Sequence, residues 1–398
     1  MLTEPGDGRG VRRTPEGFEL RSGDGTVYGV DLVDGVFRPD NPALARHCRG
    51  RTVLALVSPT VDRLYGADLR GYLGHWLPAD RWSVQVIPTG EDNKTLATAD
   101  LVCGYAKAAA VDRRGLMLAV GGGITADIVG FAASMYNRGI AHIKVNTTLI
   151  GQVDVGVGVK TGVNGHGSKN LLGAYHPAVA SLNDPAFLRT LPAREIRCGL
   201  AEILKVAVIR DAELFATLER HPRLFQPGSA RPETERRVVE DAMRLMMQEL
   251  CSNLREHDLA RLVDFGHTFS PVIEVASGYR IGHGEAVAID MAVSSHIATL
   301  AGRLTPERRD RLVDTVQRLG LPVFDPEVCT GPLLRQALER AWLHRGRRLN
   351  LVVPTAIGAA GFLHDYDEVP DSMVATALAE LAARSGNAAG SLSGASLA

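Results

Sequence analysis

Five short stretches of this chain carry side chains that could do chemistry. "VGGGITADIV" puts Gly121, Gly122 and Gly123 at the end of an apolar run and at the start of a helical one. Glycines there let backbone N–H groups approach an anion at a helix N-terminus, so a phosphate is the ligand to expect. A tight strand-to-helix turn would use the same residues, and the spacing is not that of the common dinucleotide fingerprint. Asp127, one turn into the helix, could face a ribose or could complement the helix dipole. The second stretch, "TTLIGQVDVGVGVKTGVNGHGSKNLLGAYH" at 147–176, mixes glycines with Asp154, Lys160, Asn164, Lys169 and Asn170 and shows little hydrophobic period. Irregular segments of this length in compact domains are functional or disordered. The apolar "LLGAY" argues against disorder, and lysine and asparagine among glycines fit a phosphorylated ligand.

The other three stretches lie further along. "CGLAEILKVAVIRD" sets Glu202 and Lys205 three residues apart, hence on one face of an otherwise apolar helix. On an exposed helix this would be an ordinary ion pair, but buried charges need a partner or a metal. "DFGHTFS" and "GHGEAVAIDMA" place His267 and His283 beside glycines at the starts of apolar helices. One such histidine is usually a core residue. Two of them with a buried glutamate make an N,N,O set that could hold zinc and leave a position open. Separations of 65 and 16 residues are not a local ligand spacing.

The elements that must position these residues change character along the chain. "FELRSGDGTVYGVDLV" reads as a hairpin turning near 23–25. From residue 52, apolar strands ("TVLALVSP", "RWSVQVIPTG", "RGLMLAVGGG", "GIAHIKVNTTL") alternate with amphipathic helices, which predicts a parallel α/β sheet with crossover helices. After Pro192 the period is helical, with candidates at 194–210, 211–221, 232–253, 267–277, 284–302, 306–318 and 331–343, and one strand-like interruption near 349–355. The predicted division is an α/β domain over 1–192, a mostly helical domain over 193–380, and a disordered tail over 381–398, where "GNAAGSLSGASLA" is small and polar.

Composition removes several function classes. With 398 residues, two domains are expected. A formal net charge of -1 gives no electrostatic case for nucleic acid or an anionic membrane. The five cysteines are scattered and never form a CxxC pair, which predicts reduced thiols, no cysteine zinc site and a cytoplasmic protein. "MLTEPGDGRGVRR" lacks the apolar core of a signal peptide, and no uncharged apolar run is long enough to span a bilayer.

In this order, the GGG–D run, "YNRG", "TTL…QVD…KTGVN…KN", "GLAEILK", "FGHTF" and "HGEAVA" resemble the dehydroquinate synthase-like sugar phosphate cyclases, over roughly residues 85–300. The resemblance implies an α/β nucleotide-binding domain, a helical domain and a cleft between them. It implies Glu202, His267 and His283 as ligands of Zn²⁺ or Co²⁺. Glu91, Lys94, Gly122, Gly123, Asp127, Thr147 and Thr148 would contact NAD⁺, with Lys160 and Lys169 close to it. Asp154, Lys160, Lys169, Asn170, Lys205 and Glu256 would line the substrate site, and Arg138 would reach a phosphate across a homodimer interface. The family's reaction combines transient oxidation by NAD⁺, β-elimination of phosphate, re-reduction and intramolecular aldol closure. Ser58 and Pro59 stand where the family has an acidic ribose contact.

Departures within the motifs select a branch. Dehydroquinate synthases carry an arginine and an asparagine where this chain has Ala260 and Asp264, and a second histidine where it has Pro271. Losing the arginine removes the bidentate partner of a substrate carboxylate. "VDFGHTFSP", with Leu250, Asp264 and His344 as further substrate residues, resembles the synthases that turn sedoheptulose 7-phosphate into 2-epi-5-epi-valiolone for seven-carbon aminocyclitols. Alternatives are a 2-epi-valiolone or desmethyl-4-deoxygadusol synthase, a 3-dehydroquinate synthase, a metal-dependent alcohol or glycerol dehydrogenase, and a non-catalytic binding relative. A dehydrogenase would accumulate NADH and would need no grip on phosphate, which Arg138, Lys160, Lys169 and Asn170 resemble.

Overall fold

A computed structural model describes residues 9–393, with side chains described through residue 385. The chain forms two compact units: residues through Ile196 together with Pro232–Arg255, and Arg197–Arg231 together with the residues from Glu256 onward.

The first unit is built on an eight-stranded sheet. Strands β1 (Gly10–Arg13), β2 (Gly17–Arg21) and β3 (Val27–Leu32) form an antiparallel meander. Then come β4 (Val53–Val57), β5 (Trp82–Val86), β6 (Leu116–Gly121) and β7 (Ala141–Asn146). A separate antiparallel hairpin follows, β8 (Lys160–Gly165) and β9 (Ser168–Tyr175), before β10 (Ala180–Asn183) returns to the sheet. The sheet order is β1-β2-β3-β10-β7-β6-β4-β5, parallel from β3 onward. Strands β4 and β6 are buried at every position, as a parallel sheet covered on both faces requires. Alternation divides them: Val53, Ala55 and Val57 join one apolar core with helix Pro59–Trp76, while Leu54 and Leu56 join another with helices Leu96–Ala108 and Gly123–Met135. The chain order reverses direction between β4 and β6, and the crevice beyond their carboxyl ends is where such sheets take ligands.

The second unit is mostly helical. Helix His283–Leu300 is buried along nearly its whole length. Helices Ser270–Ala276, Pro306–Arg318 and Asp371–Ser393 pack around it, as does the hairpin β11 (Leu351–Ala356) and β12 (Ala359–Leu363). No helix among the described residues is long and apolar enough to cross a membrane.

The structure changes three expectations. Residues 232–255, expected in the helical domain, belong to the first unit, because helix Pro232–Cys251 lays its apolar face on β1, β2 and the turn at 151–155. The 381–398 tail is helical backbone through Ser393, continuing an alanine-rich helix whose Leu381 is fully buried, while 394–398 lie outside the described residues. The irregular 147–176 segment holds a π-helical turn, Gly151–Val155, and the β8–β9 hairpin. Strand β9 has no fully buried residue, so no hydrophobic period betrays it.

Candidate functional site

In the second unit, helix Ala193–Arg210 carries Glu202 and Lys205, each only 2% exposed. Lys205 Nζ lies 2.6 Å from Glu202 Oε2. The other oxygen, Oε1, faces two imidazoles, with His283 Nε2 at 3.3 Å and His267 Nε2 at 3.8 Å. Both rings are oriented from behind. His267 Nδ1 donates to the Phe265 carbonyl at 3.1 Å, and His283 Nδ1 donates to buried Glu274 Oε1 at 2.9 Å. His283 opens its helix beside Gly284, where an added Cβ would lie 2.4 Å from Cys198 Cα, so only glycine lets the two helices approach this closely. Asp290, two turns further along, accepts from the backbone N–H groups of Phe269 and Ser270 at 2.5 and 2.9 Å and so braces the turn that bears His267.

The electrostatics favour a cation. Burial alone would raise Glu202, but the adjacent Lys205 ammonium and the two imidazoles hold it well below the ordinary carboxylate range. Burial, reinforced by Lys205, pushes His267 down to about 4, so its ring is neutral at pH 7 and its Nε2 lone pair is available. Glu202 Oε1 is fully enclosed and accepts no well-formed hydrogen bond. The three ligand atoms lie within 4.8 Å of one another. Two nitrogens and one enclosed carboxylate oxygen that accepts no well-formed hydrogen bond fit a zinc-type ion.

The predicted substrate residues of this unit are placed differently. Asp264 lies in a chain of ion pairs: Arg261 Nη2 is 2.5 Å from its Oδ1, Arg345 Nη2 is 3.5 Å from its Oδ2, and Arg261 also pairs with Glu256. His344 is exposed at the end of helix Gly331–His344, and its neighbour Arg345, 8% exposed, is the residue that reaches Asp264. Leu250 belongs to the first unit, buried on helix Pro232–Cys251.

The first unit gathers the nucleotide candidates beyond β4 and β6. Gly122 caps helix Gly123–Met135. The space a side chain would need there is taken by Thr148, and at Gly123 by Val155, so the chain's own packing accounts for part of the glycine requirement. Thr147 N–H donates to the Gly121 carbonyl at 2.9 Å. Buried Lys94 donates to Asp127 Oδ2 and Asn170 Oδ1, both at 2.5 Å. Asn164 Nδ2 donates to Glu91 Oε1 at 3.1 Å, and its Oδ1 accepts from the Asn170 N–H at 2.9 Å. One network therefore joins the 91–94 turn, the glycine-capped helix and the hairpin. Asp154 and Lys169 are half-buried, and Lys160 and Arg138 are exposed. Ser58, in place of an acidic residue, caps helix Pro59–Trp76 by accepting the Val61 N–H at 3.2 Å.

Glu274, Asp290, Arg261 and Arg345 are absent from the sequence-based site. Glu274 and Asp290 had a legible signal, a carboxylate in an otherwise apolar helix. Arg345 had none, because only folding brings it to Asp264, 81 positions away, whereas Arg261 stands three residues before that carboxylate.

Residues 84–198 match the family described as 3-dehydroquinate synthase N-terminal, and residues 199–339 match its C-terminal counterpart. A 2-epi-5-epi-valiolone synthase of Streptomyces glaucescens is 62% identical over 373 residues, covering 94% of this chain and 96% of that protein. The solved structure of ValA, a 2-epi-5-epi-valiolone synthase from Streptomyces hygroscopicus subsp. jinggangensis 5008 with NAD⁺ and Zn²⁺ bound, superposes with a TM-score of 0.84 at 43% identity, covering 90% of this chain and 97% of that one. A 2-deoxy-scyllo-inosose synthase structure shares the fold, with a TM-score of 0.76 at 20% identity over 92% of this chain and 99% of that one.

Proposed function

This chain belongs to the dehydroquinate synthase family, and from that premise we propose that it cyclises sedoheptulose 7-phosphate to 2-epi-5-epi-valiolone with release of inorganic phosphate. The observation that carries this is 62% identity to a 2-epi-5-epi-valiolone synthase across 94% of the chain. The net reaction is redox-neutral and balances with one phosphate released per cyclitol.

Glu202, His267 and His283 would hold the divalent metal, zinc or cobalt. Gly122, Gly123, Thr147, Thr148, Asp127, Glu91 and Lys94 would hold NAD⁺. The nucleotide supplies a transient hydride acceptor and the metal a positive charge beside the reacting hydroxyl. Lys205, paired with Glu202 and enclosed, presents an ammonium to an oxygen that gains negative charge, an interaction strengthened by exclusion of water. Asp154, Lys160, Lys169, Asn170 and Glu256 would bind the sugar phosphate. Asp264, held by two arginines, would accept a hydrogen bond from a substrate hydroxyl, and Ala260 leaves no bidentate partner for a carboxylate. Leu250 and His344 retain their proposed substrate roles from the branch pattern.

We also propose a homodimer in which Arg138 reaches the partner's phosphate. Exposed Leu171 and Tyr175 on β9, with exposed Met135 and Val179, support a covered apolar face. A cytoplasmic setting fits five cysteines of which none is in a disulfide. The product would enter seven-carbon aminocyclitol biosynthesis.

The test uses purified protein, Zn²⁺ and substoichiometric NAD⁺, with phosphate release and NADH absorbance followed together and the product identified by NMR. Many turnovers per NAD⁺ on sedoheptulose 7-phosphate, without lasting NADH, is the expected result. Phosphate release only from the carboxylated substrate of dehydroquinate synthases, or lasting NADH without phosphate, would overturn it.

A further inference from the structure

Two fully buried ionisable groups have no part in that scheme, and both sit on the central strand β7. His142, Lys144 and Asn146 are each 0% exposed and alternate along the strand, so they form a polar stripe on one face, opposite Ile143 and Val145. A buried ammonium is costly unless its hydrogens are used. Lys144 Nζ donates to the Val155 carbonyl at 2.8 Å and to the Gly158 carbonyl at 2.9 Å. Between these two, the Val157 carbonyl accepts from the Tyr28 hydroxyl at 2.6 Å. Just before them, Gln152 Nε2 donates to the carbonyls of Asn146 and Asp184 at 3.2 and 3.0 Å. The chain lies so close to this floor that a Cβ on Gly156 would meet Asn146 Nδ2 at 2.3 Å, which explains a glycine there.

The fastened segment begins with Asp154, the fourth residue of the π-helical turn, and ends where Lys160 starts β8. Such a turn is rare, and although it closes its own hydrogen bond from the Gly156 N–H to the Gly151 carbonyl at 2.7 Å, what anchors the turn and the residues after it to the sheet is the Lys144 ammonium. Burial pushes Lys144 down to about 8 while the Asp127 and Asp154 carboxylates pull it back up, which leaves it an ammonium at neutral pH. Burial also holds His142, stacked on His176, far below its ordinary value, so it adds no like charge.

We propose that Lys144 is a positioning residue for the cyclisation: it fastens the 154–160 segment to the sheet and thereby sets Asp154 and Lys160 where the sugar phosphate binds. This rests on the substrate roles given above to Asp154 and Lys160. The lysine touches no substrate in this account and acts only through the two carbonyls it holds.

The experiment compares wild type with Lys144→Met, Lys144→Gln and Tyr28→Phe by amide hydrogen exchange and by kinetics on sedoheptulose 7-phosphate with NAD⁺ and Zn²⁺. Lys144→Met should speed exchange within 151–160 by about tenfold or more while bound zinc stays stoichiometric, and should lower kcat/KM by on the order of 10²-fold, the effect of a displacement of about 1 Å. Lys144→Gln, whose amide is shorter, and Tyr28→Phe, which loses a single tether, should show smaller effects of the same kind. In an Asp154→Ala background, Lys144→Met should cost at least about threefold less than it does in the wild type, because one of the two residues it positions is already gone. Unchanged exchange in 151–160, or an equal penalty with and without Asp154, would overturn the proposal. If Lys144→Met does not fold, Lys144→Gln and Tyr28→Phe provide the same two readouts. If wild type releases no phosphate from sedoheptulose 7-phosphate, the functional reading fails, and the exchange result alone then judges the tether, with unchanged exchange overturning it.

Discussion

The two candidate clusters are held by different means. In the second unit, Glu202 and His283 stand on long buried helices, and each histidine has its far nitrogen bound to a fixed acceptor. In the first unit, Lys94, Asp127, Asn164 and Asn170 come from a turn, a helix and a hairpin, and a single hydrogen-bonded network links their side chains across these three elements. Helices whose packing is set by a core hold a metal site to the tolerance that coordination demands. A loop-borne network can rearrange around a large polar ligand, and its members depend on one another. A single substitution should therefore act locally in the metal cluster, while in the loop network it should loosen several contacts at once.

Removing a metal ligand has the largest expected effect. Glu202→Ala and His283→Ala should each abolish stoichiometric zinc and lower turnover by about 10³-fold or more, corresponding to the several kcal/mol a metal contributes. Retention of one zinc per chain by both variants, measured by plasma emission on dialysed protein, would show that the cluster is not the metal site. Next in size is Glu274. Glu274→Gln keeps the volume but weakens the hold on His283, so zinc affinity should fall about 10- to 100-fold in competition with a fluorescent chelator. An unchanged affinity would mean that helix packing alone orients the ring.

In the loop network, Lys94→Met removes the donor shared by Asp127 and Asn170. The KM for NAD⁺ should rise about tenfold or more, in line with roughly 1.5–3 kcal/mol for a hydrogen bond to a charged group, while zinc content stays constant. A loss of zinc in this variant would erase the distinction between the clusters. The smallest effect is expected at Ser58. Ser58→Ala deletes a helix cap worth about 1 kcal/mol and should lower Tm by about 2–4 °C in calorimetry, with little change in the KM for NAD⁺. A large KM change would instead make Ser58 a nucleotide contact.

Much of this was open to reading along the chain. Strands β4 and β6 announce themselves because burial on both faces demands unbroken apolar runs, and the helices after Pro192 because one-sided burial imposes a period of 3.6. The hairpin at 160–175 was opaque because β9 is largely exposed and packing leaves no mark on it. Helix Pro232–Cys251 was legible as a helix but not as a member of the first unit, because an apolar stripe shows that a face is covered and never by what. The same limit explains Ser58, whose side chain looked like a lost ribose contact and is a helix cap.

Along the chain itself, apolar period marks most of the elements, and the order of the motifs marks the family, whose resemblance in turn names Glu202, His267 and His283. Folding, and not the chain, put Glu274 behind His283, brought Arg345 to Asp264, and set Lys144 beneath the turn bearing Asp154. Those relations join residues 9, 81 and 11 positions apart, on different elements. A buried charge must find its partner wherever folding puts one, and no spacing rule along the chain encodes that meeting.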